Sequence, residues 1–244
     1  VMSGNIQESA PYIPQGWSSS SVRPLRGAEQ AFVAGEEASG AVWIVLGDIH
    51  GRIRRVREIP ELGQAKGVIL TGDLTTLGGA AQARAVIEAF QAVNPVIFAQ
   101  IGNMDRAEVN DWLEAEGINL HRHVREISPG VALLGIGGAT FSPFGTPSEF
   151  PEARFSEWLE DLAGQAFAYR NPVVVSHNPP FNTACDAVGG GIHAGSTALR
   201  EFIEEHQPAL CLCGHIHEAV GTERLGRTLI VNPGPFSLGR YALL

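Results

Sequence analysis

The chain has 244 residues, 44% of them hydrophobic, and a formal net charge of −9. This length suits one large domain better than two small ones. The acidic balance argues against binding of bulk nucleic acid, because phosphate contacts need clustered Lys and Arg. The sequence has no membrane-spanning apolar run or N-terminal secretion signal, and its three cysteines do not suggest a disulfide scaffold, so we expect a cytoplasmic protein without a membrane partner.

Two parts of the chain differ in composition and in the periodicity of their apolar residues. Residues 1–40 contain a serine run and scattered Pro and Gly without a sustained period, which indicates an N-terminal arm or linker. Residues 41–244 are expected to form one domain, because seven short runs rich in Val and Ile are bounded there by Gly, Pro or Asn, as in strands buried on both faces. The predicted strands are 41–46, 67–70, 95–101, 131–138, 172–176, 208–213 and 228–231.

Four segments between these strands space their apolar residues three and four positions apart, which predicts amphipathic helices. The predicted helices are 79–93, 106–117, 152–167 and 196–206. Strands that alternate with helices predict an α/β fold in which a sheet is covered on both faces.

Polar side chains follow five of the seven predicted strands. In open α/β sheets ligands bind beyond the carboxyl ends of the strands, so these residues are the candidates for a functional site. One such residue alone is usually a turn or surface residue, but turn chemistry alone hardly produces the whole set. In chain order the candidates are Asp48, His50, Asp73, Asn103, Asp105, His177, His215 and His217.

The candidates offer oxygen and imidazole nitrogen and no thiolate, which suits Mn, Fe, Zn or Ni better than a structural zinc site rich in Cys. Seven of them are too many for one ion, whereas two ions that share a bridging carboxylate would use all seven. We therefore predict a centre with two divalent metal ions. Its predicted ligands are Asp48, His50, Asp73, Asn103, His177, His215 and His217.

The motifs "GDIHG", "GD", "GNMD", "SH" and "GHIH" occur in this order over residues 47–217, and they resemble the signature of the calcineurin-like metallophosphoesterase superfamily. The resemblance implies a four-layer α/β/β/α sandwich with a two-metal hydrolytic site. It further implies one metal held by Asp48, His50, Asp73 and His217, and a second held by Asp73, Asn103, His177 and His215, with Asp73 bridging. It implies direct in-line attack of a metal-bridging hydroxide on the phosphorus of a small phosphoester.

The sequence departs from the superfamily at Met104, where a histidine usually stabilises the transition state or protonates the leaving oxygen. A thioether carries no proton, and general acid catalysis typically contributes about 10²- to 10⁴-fold in rate. Branches of the superfamily that lack this histidine still cleave phosphodiesters, so we expect a phosphodiesterase rather than a monoesterase. The candidate catalytic residues are Asn103 and His193, the latter in a glycine-rich loop from which it could supply the missing proton.

Two alternatives remain open. The chain could be a metal-bound scaffold without catalysis that acts as a protein interaction module, although a scaffold has no reason to keep the full ligand set. It could also bind a nucleotide with residues 135–145 as a phosphate cradle. That segment lacks the G-x-G-x-x-G and G-x-x-x-x-G-K patterns, so we expect a loop at the rim of the active site.

Overall fold

The structure is a computed structural model that describes residues 22–24 and 42–244. The predicted arm, residues 1–40, lies outside the described residues except for one strand. None of the helices in the described part of the chain is both long and apolar enough to cross a lipid bilayer.

The strands are β1 (Val22–Pro24), β2 (Trp43–Leu46), β3 (Gly67–Leu70), β4 (Ile97–Ala99), β5 (Val124–Ser128), β6 (Val131–Ile136), β7 (Ala139–Thr140), β8 (Glu149–Phe150), β9 (Asn171–Ser176), β10 (Leu210–Leu212), β11 (Gly221–Leu225), β12 (Thr228–Asn232) and β13 (Arg240–Leu243).

The helices are α1 (Ala80–Gln91), α2 (Ala107–Ala115), α3 (Glu152–Ala166) and α4 (Thr197–His206), with 3-10 helices at Ile53–Glu58 and Phe236–Leu238. All seven predicted strands and all four predicted helices are confirmed, and their ends agree with the prediction to within two residues.

The strands form two main sheets. In the first, of order β1-β13-β2-β3-β4, strands β2, β3 and β4 are parallel, and β13 pairs antiparallel with both β1 and β2. In the second, of order β11-β12-β10-β9-β6-β5, the four inner strands are parallel and the two edge strands are antiparallel. A small third sheet joins β7 to β8.

Three apolar clusters hold the layers together. Alternate residues of each inner strand point to opposite faces, so Ile44 packs towards α1 and α2 while its neighbour Val45 packs towards the second sheet. In the second sheet Val173 packs towards the first sheet and Val174 towards α3 and α4. The predicted four-layer α/β/β/α sandwich is therefore confirmed. Each sheet has helices on one face only, because the other sheet covers its second face.

Candidate metal centre

The loops after the strands of the first sheet lie side by side. Leu46 pairs with Leu70 in parallel register, and Leu70 pairs with Ala99, so the three strands end at the same edge. Beyond that edge the backbone N–H of Asp48 donates to the Gly72 carbonyl at 3.0 Å. Because the loops run side by side, the motifs "GDIHG", "GD" and "GNMD" lie next to one another.

The loops after the strands of the second sheet lie next to those of the first sheet. The N–H of Gly214 donates to the His177 carbonyl at 3.0 Å, which joins the loops after β9 and β10. The N–H of His215 lies 3.2 Å from each carboxylate oxygen of Asp48. Because Asp48 follows a strand of the first sheet and His215 follows a strand of the second, this contact fixes the two strand-end edges against each other.

One group of side chains gathers around His50. Its Nε2 lies 3.4 Å from the Nε2 of His217 and 3.7 Å from the Oδ2 of Asp73. The Nε2 of His217 is in turn 3.2 Å from the Oδ1 of Asp48. The possible ligand atoms of Asp48, His50 and His217 all lie within 4.8 Å of one another, which is close enough to surround one ion.

A second group gathers around His177, which is fully buried. Its Nε2 lies 3.1 Å from the Oδ1 of Asn103 and 3.5 Å from the Oδ1 of Asp73. The ring centroid of His215 lies 5.2 Å from that of His177. Ligand atoms of Asp48, Asp73 and His177 also lie within 4.8 Å of one another. The structure thus brings all seven predicted ligands into one cluster, with Asp48 within reach of both groups.

The loops that carry the cluster hold their backbone in an unfavourable conformation. Four of the seven candidates have positive φ angles, a region that side chains with a Cβ rarely adopt. Strain of this kind persists only where the surrounding structure imposes it, and it concentrates at functional sites. The four residues are Asp48 (53°), His50 (50°), Asp73 (51°) and His215 (67°).

Two motif glycines allow this close approach of the loops. A Cβ on Gly102 would lie 2.1 Å from the Oδ1 of Asp73, and a Cβ on Gly72 would lie 2.5 Å from the Nδ1 of His177. Contacts this short do not occur between real side chains. The glycines of the "GD" and "GNMD" blocks are therefore required by the packing of the candidate ligands.

The cluster buries carboxylates that need positive charge. Asp48 and Asp73 are 1% and 2% exposed, and their ion-pair partners in the described part of the chain are all imidazoles. Burial acts to raise the pKa of Asp48, but the hydrogen bond with His217 and the charge of His177 outweigh it and lower the pKa. A buried carboxylate held ionised in this way forms an environment that suits cations.

The imidazoles respond to these carboxylates in different ways. Burial acts to lower the pKa of His177, but Asp73 and Asp48 together with Asp105 raise it to about 9. The hydrogen bond with Asp48 raises the pKa of the more exposed His217. Burial and the charge of His177 lower the pKa of His215 to about 4. The two buried imidazoles, His177 and His215, therefore have pKa values shifted in opposite directions.

Two groups hold the Nδ1 of His50 on the side away from the cluster. It lies 3.3 Å from the Thr75 carbonyl oxygen and 3.1 Å from the Thr76 hydroxyl. When Nδ1 donates to the carbonyl, which can only accept a hydrogen bond, the lone pair of Nε2 is directed into the cluster. A backbone carbonyl behind the imidazole is the usual arrangement for a histidine that binds a metal, so the donor set fits a pair of divalent ions.

Asp105 lies beside the cluster but serves another purpose. Its carboxylate accepts hydrogen bonds from the backbone N–H groups of Gly102, Leu74 and Thr75 at 2.8 to 3.0 Å and from the Thr75 hydroxyl at 2.8 Å. Burial and the charge of Asp73 raise the pKa of Asp105 to about 6. Asp105 thus fastens the "GNMD" loop to the loop after Asp73.

Met104 and His193 have different surroundings. The backbone N–H of Met104 donates to the Oδ1 of Asp73 at 2.8 Å, so the residue after Asn103 remains at the cluster although its side chain carries no proton. His193 lies in the loop before α4, with its Nδ1 2.6 Å from the buried Oδ1 of Asp186 and its ring 6.0 Å from that of Phe181. These contacts do not include any of the seven predicted ligands.

The sequence did not reveal Thr146, which contacts Asn103, or Glu149, which contacts Thr146. The Nδ2 of Asn103 lies 2.9 Å from the hydroxyl of Thr146, and that hydroxyl lies 2.6 Å from the Oε1 of Glu149. Thr146 lies between β7 and β8, and Glu149 is the first residue of β8. The Ser, Pro, Gly and Thr residues of this segment predict only a loop. A Thr followed three residues later by a Glu is too common a pattern to have identified them.

Residues 135–145, the alternative phosphate cradle, do not form one continuous loop. Gly135 and Ile136 belong to β6, and Ala139 and Thr140 form β7. The remainder leads into the loop that carries Thr146. This segment therefore borders the cluster and has no separate glycine-rich turn before a helix.

Comparisons with known proteins identify the family of the chain. The sequence profile of the family described as Metallophosphoesterase, calcineurin superfamily, matches residues 119–244. An uncharacterized protein of Methanocaldococcus jannaschii is 34% identical over 201 residues, which cover 80% of this chain and 88% of that protein.

Solved structures share the fold at low sequence identity. A crystal structure of the protein TT1561 of Thermus thermophilus superposes with a TM-score of 0.63 and 18% identity, and covers 84% of this chain and 93% of that one. A dimetal phosphatase from Danio rerio superposes with a TM-score of 0.61 and 13% identity, and covers 83% of this chain and 91% of that one.

Proposed function

The chain belongs to the calcineurin superfamily of metallophosphoesterases, as its motifs predicted, and we propose that it hydrolyses a small phosphodiester with the help of two divalent metal ions. The observation that carries the proposal is the convergence of two buried carboxylates, one amide and four imidazoles at the joined edges of two sheets. The matched profile begins after Asn103, so the roles of the first ligands rest on this geometry.

The contacts of Asp73 support its role as the bridging ligand. Its Oδ2 faces His50 in the first group, and its Oδ1 faces His177 in the second. A carboxylate whose two oxygens face different groups of ligands is suited to join two ions. We therefore assign one ion to Asp48, His50, Asp73 and His217, and the other to Asp73, Asn103, His177 and His215.

Each part of the site has a defined task. Two divalent ions held here would neutralise phosphoryl oxygens and lower the pKa of water so that it can attack phosphorus. The protein residues fix the ligand atoms through strained loops, and the buried carboxylates reduce the net positive charge that the substrate meets. Met104 cannot protonate the leaving oxygen, so another group must do so for substrates with poor leaving groups.

His193 is our candidate for that proton donor. Its Nδ1 is committed to Asp186, so its Nε2 is the atom available for proton transfer. The Asp186 carboxylate is in turn fixed by the backbone N–H groups of Asn182, Thr183 and Gly195. A histidine oriented by a buried carboxylate is a common arrangement for acid–base catalysis.

The rim of the site supports a diester rather than a monoester substrate. Phe141 and Phe144 are 69% and 85% exposed, and they lie on the loop that Thr146 joins to Asn103. Exposed aromatic side chains beside a polar centre commonly contact an apolar part of a ligand. A phosphodiester carries two organic groups and one negative charge, so it fits an apolar rim better than a dianionic monoester does.

The proposal is tested with protein stripped of metal by a chelator and reloaded with Mn, Fe, Zn or Ni. We expect hydrolysis of bis-p-nitrophenyl phosphate to exceed that of p-nitrophenyl phosphate, to disappear with chelator and to return with metal. His177→Ala should abolish the activity, whereas His206→Ala, which changes a histidine of α4 outside the cluster, should retain it. Wild-type protein that binds two ions and cleaves neither compound would instead support the scaffold alternative.

A further inference from the structure

The two ends of the Asn103 side chain have different partners. The Oδ1 faces the Nε2 of His177 at 3.1 Å, inside the cluster, and the Nδ2 faces the hydroxyl of Thr146 at 2.9 Å, outside it. Rotating the amide by half a turn would exchange oxygen and nitrogen at nearly the same shape. Only one of these orientations presents a metal ligand, since the amide NH₂ group cannot bind a cation.

Thr146 distinguishes the two orientations through Glu149. The carboxylate of Glu149 can only accept, so the Thr146 hydroxyl must donate its single proton to Oε1 at 2.6 Å. The hydroxyl is then left with lone pairs towards Asn103 and can only accept there. The NH₂ group of Asn103 satisfies this requirement, whereas its carbonyl oxygen would face lone pairs and be repelled.

Glu149 is well placed to impose this polarity. Its carboxylate accepts the backbone N–H and the hydroxyl of Ser142 as well as the N–H and hydroxyl of Thr146. Burial acts to raise the pKa of Glu149, but these hydrogen bonds outweigh it and lower the pKa to about 2. Glu149 is therefore ionised, and acts only as an acceptor, at any pH at which the protein works.

The loop that carries this chain of hydrogen bonds is also fastened to the backbone of the cluster. The N–H of Ser148 donates to the carbonyl of Asn103 at 3.0 Å, and its hydroxyl donates to the carbonyl of Asp105 at 2.6 Å. Side-chain and backbone contacts therefore hold the loop and Asn103 in a fixed relation.

We propose that Thr146 and Glu149 are positioning residues that orient the Asn103 amide as a ligand and so set the affinity of one of the two metal ions. This proposal rests on the proposed function, because it assumes that Asn103 binds an ion. It assigns a role to the segment of residues 141–149, which carries no recognisable motif, and it predicts that this segment affects the binding of one ion only.

The test is a calorimetric titration of metal-free protein with Mn²⁺, with elemental analysis of the loaded protein. Thr146→Val keeps the shape of the side chain but removes the acceptor for Asn103. We expect one of the two ions to bind about 10- to 100-fold more weakly, as is typical when a group behind a ligand is lost, and the other to bind as in the wild type. Thr146→Ser keeps the hydroxyl and should restore the affinity.

Two controls separate this role from general loosening of the loop. Ser142→Ala removes another donor to Glu149 without touching the contact of Thr146 with Asn103, so both affinities should stay near those of the wild type. Thermal unfolding of the metal-free variants, followed by circular dichroism, shows whether they fold. If Thr146→Val does not fold, Glu149→Gln provides the test. A neutral amide is a weaker acceptor for the Thr146 hydroxyl than a carboxylate, so this variant should lower the affinity for the same ion.

The outcomes are distinct. A folded Thr146→Val protein that binds both ions as tightly as the wild type overturns the proposal and leaves the proposed function intact. The proposal is also overturned if Thr146→Val lowers the affinity for both ions equally, or if Ser142→Ala lowers the affinity as much as Thr146→Val does. Wild-type protein that binds no ions contradicts the proposed function itself.

Discussion

The Nε2 atoms of His50 and His217 face each other at 3.4 Å, although the two residues are 167 positions apart in the chain. In the tautomer in which the Nδ1 of His50 donates to the Thr75 carbonyl, its Nε2 presents a lone pair. The Nε2 of His217 lies 3.2 Å from the Oδ1 of Asp48, so two imidazole nitrogens and a carboxylate oxygen converge at this point. Asp48 and Asp73 lie on either side of the pair, and the whole arrangement favours a metal ion.

Asp73→Asn should remove both ions and nearly all activity. The amide that replaces the carboxylate offers only one ligand oxygen and no charge, so it cannot bridge two cations. Elemental analysis of the purified variant measures the effect directly. Asp111→Asn, which removes a carboxylate from the exposed side of α2, is the matched control and should retain two ions. Two bound ions in Asp73→Asn would show that the bridging assignment is wrong.

Met104→His should accelerate the cleavage of diesters with alkoxide-like leaving groups, because it restores a proton donor beside Asn103. The expected gain is up to about 10²- to 10⁴-fold, the usual contribution of general acid catalysis. An activated aryl diester needs no protonation of its leaving group and should hardly respond. The measurement is kcat for both kinds of substrate, and an equal gain for both would exclude proton donation as the missing part.

His193→Gln should have the opposite substrate dependence. Loss of a proton donor should slow the hydrolysis of diesters with poor leaving groups by about 10²-fold or more. The hydrolysis of aryl diesters and the metal content of the protein should stay nearly unchanged. Asp186→Asn should act in the same direction, because Asp186 orients the ring through Nδ1. Equal kcat values for wild type and His193→Gln on an alkyl diester would remove His193 from the mechanism.

His121 should make folding stability depend on pH. The N–H of Gly137 donates to its Nδ1 at 2.9 Å, and burial, with the charges of Arg122 and His123, lowers the pKa of His121 from 6.5 to about 4. Between these values the unfolded chain binds a proton that the folded chain does not, so stability is lost as the pH falls. The expected loss is about 2 kcal/mol between pH 7 and pH 5.

Urea unfolding of metal-free protein at pH 7 and pH 5 measures this effect. His121→Asn keeps an acceptor for Gly137 but cannot titrate, so its stability should fall by about 2 kcal/mol less than that of the wild type over the same interval. Parallel pH dependence in the two proteins would show that His121 is not held neutral by the fold.

The sequence predicted those parts of the fold that bury continuous apolar runs. Strands such as β9, which is buried along its whole length, stand out as Val-rich segments. The edge strand β11 carries Thr, Glu and Arg and is half-buried, so no such run marked it. That the second face of each sheet is covered by the other sheet follows from packing, and the chain order of strands and helices alone does not specify it.

The candidate site was predictable for a related reason. Asp48, His177 and His215 each lie within three residues of the end of a strand. A local pattern and the topology of parallel sheets therefore suffice to bring them together. Thr146 contacts Asn103 from a loop of irregular backbone, and Glu149 acts through Thr146, so their roles depend on hydrogen-bond polarity. Neither property leaves a periodic pattern in the sequence.

Anomalous diffraction from crystals loaded with Mn²⁺, recorded at the manganese edge, tests the central claim most directly. We expect two peaks roughly 3.5 to 4 Å apart, with a carboxylate oxygen of Asp73 beside each and Asn103 beside one of them. A single peak, or peaks away from Asp73, would contradict a dinuclear centre at the joined edges of the two sheets.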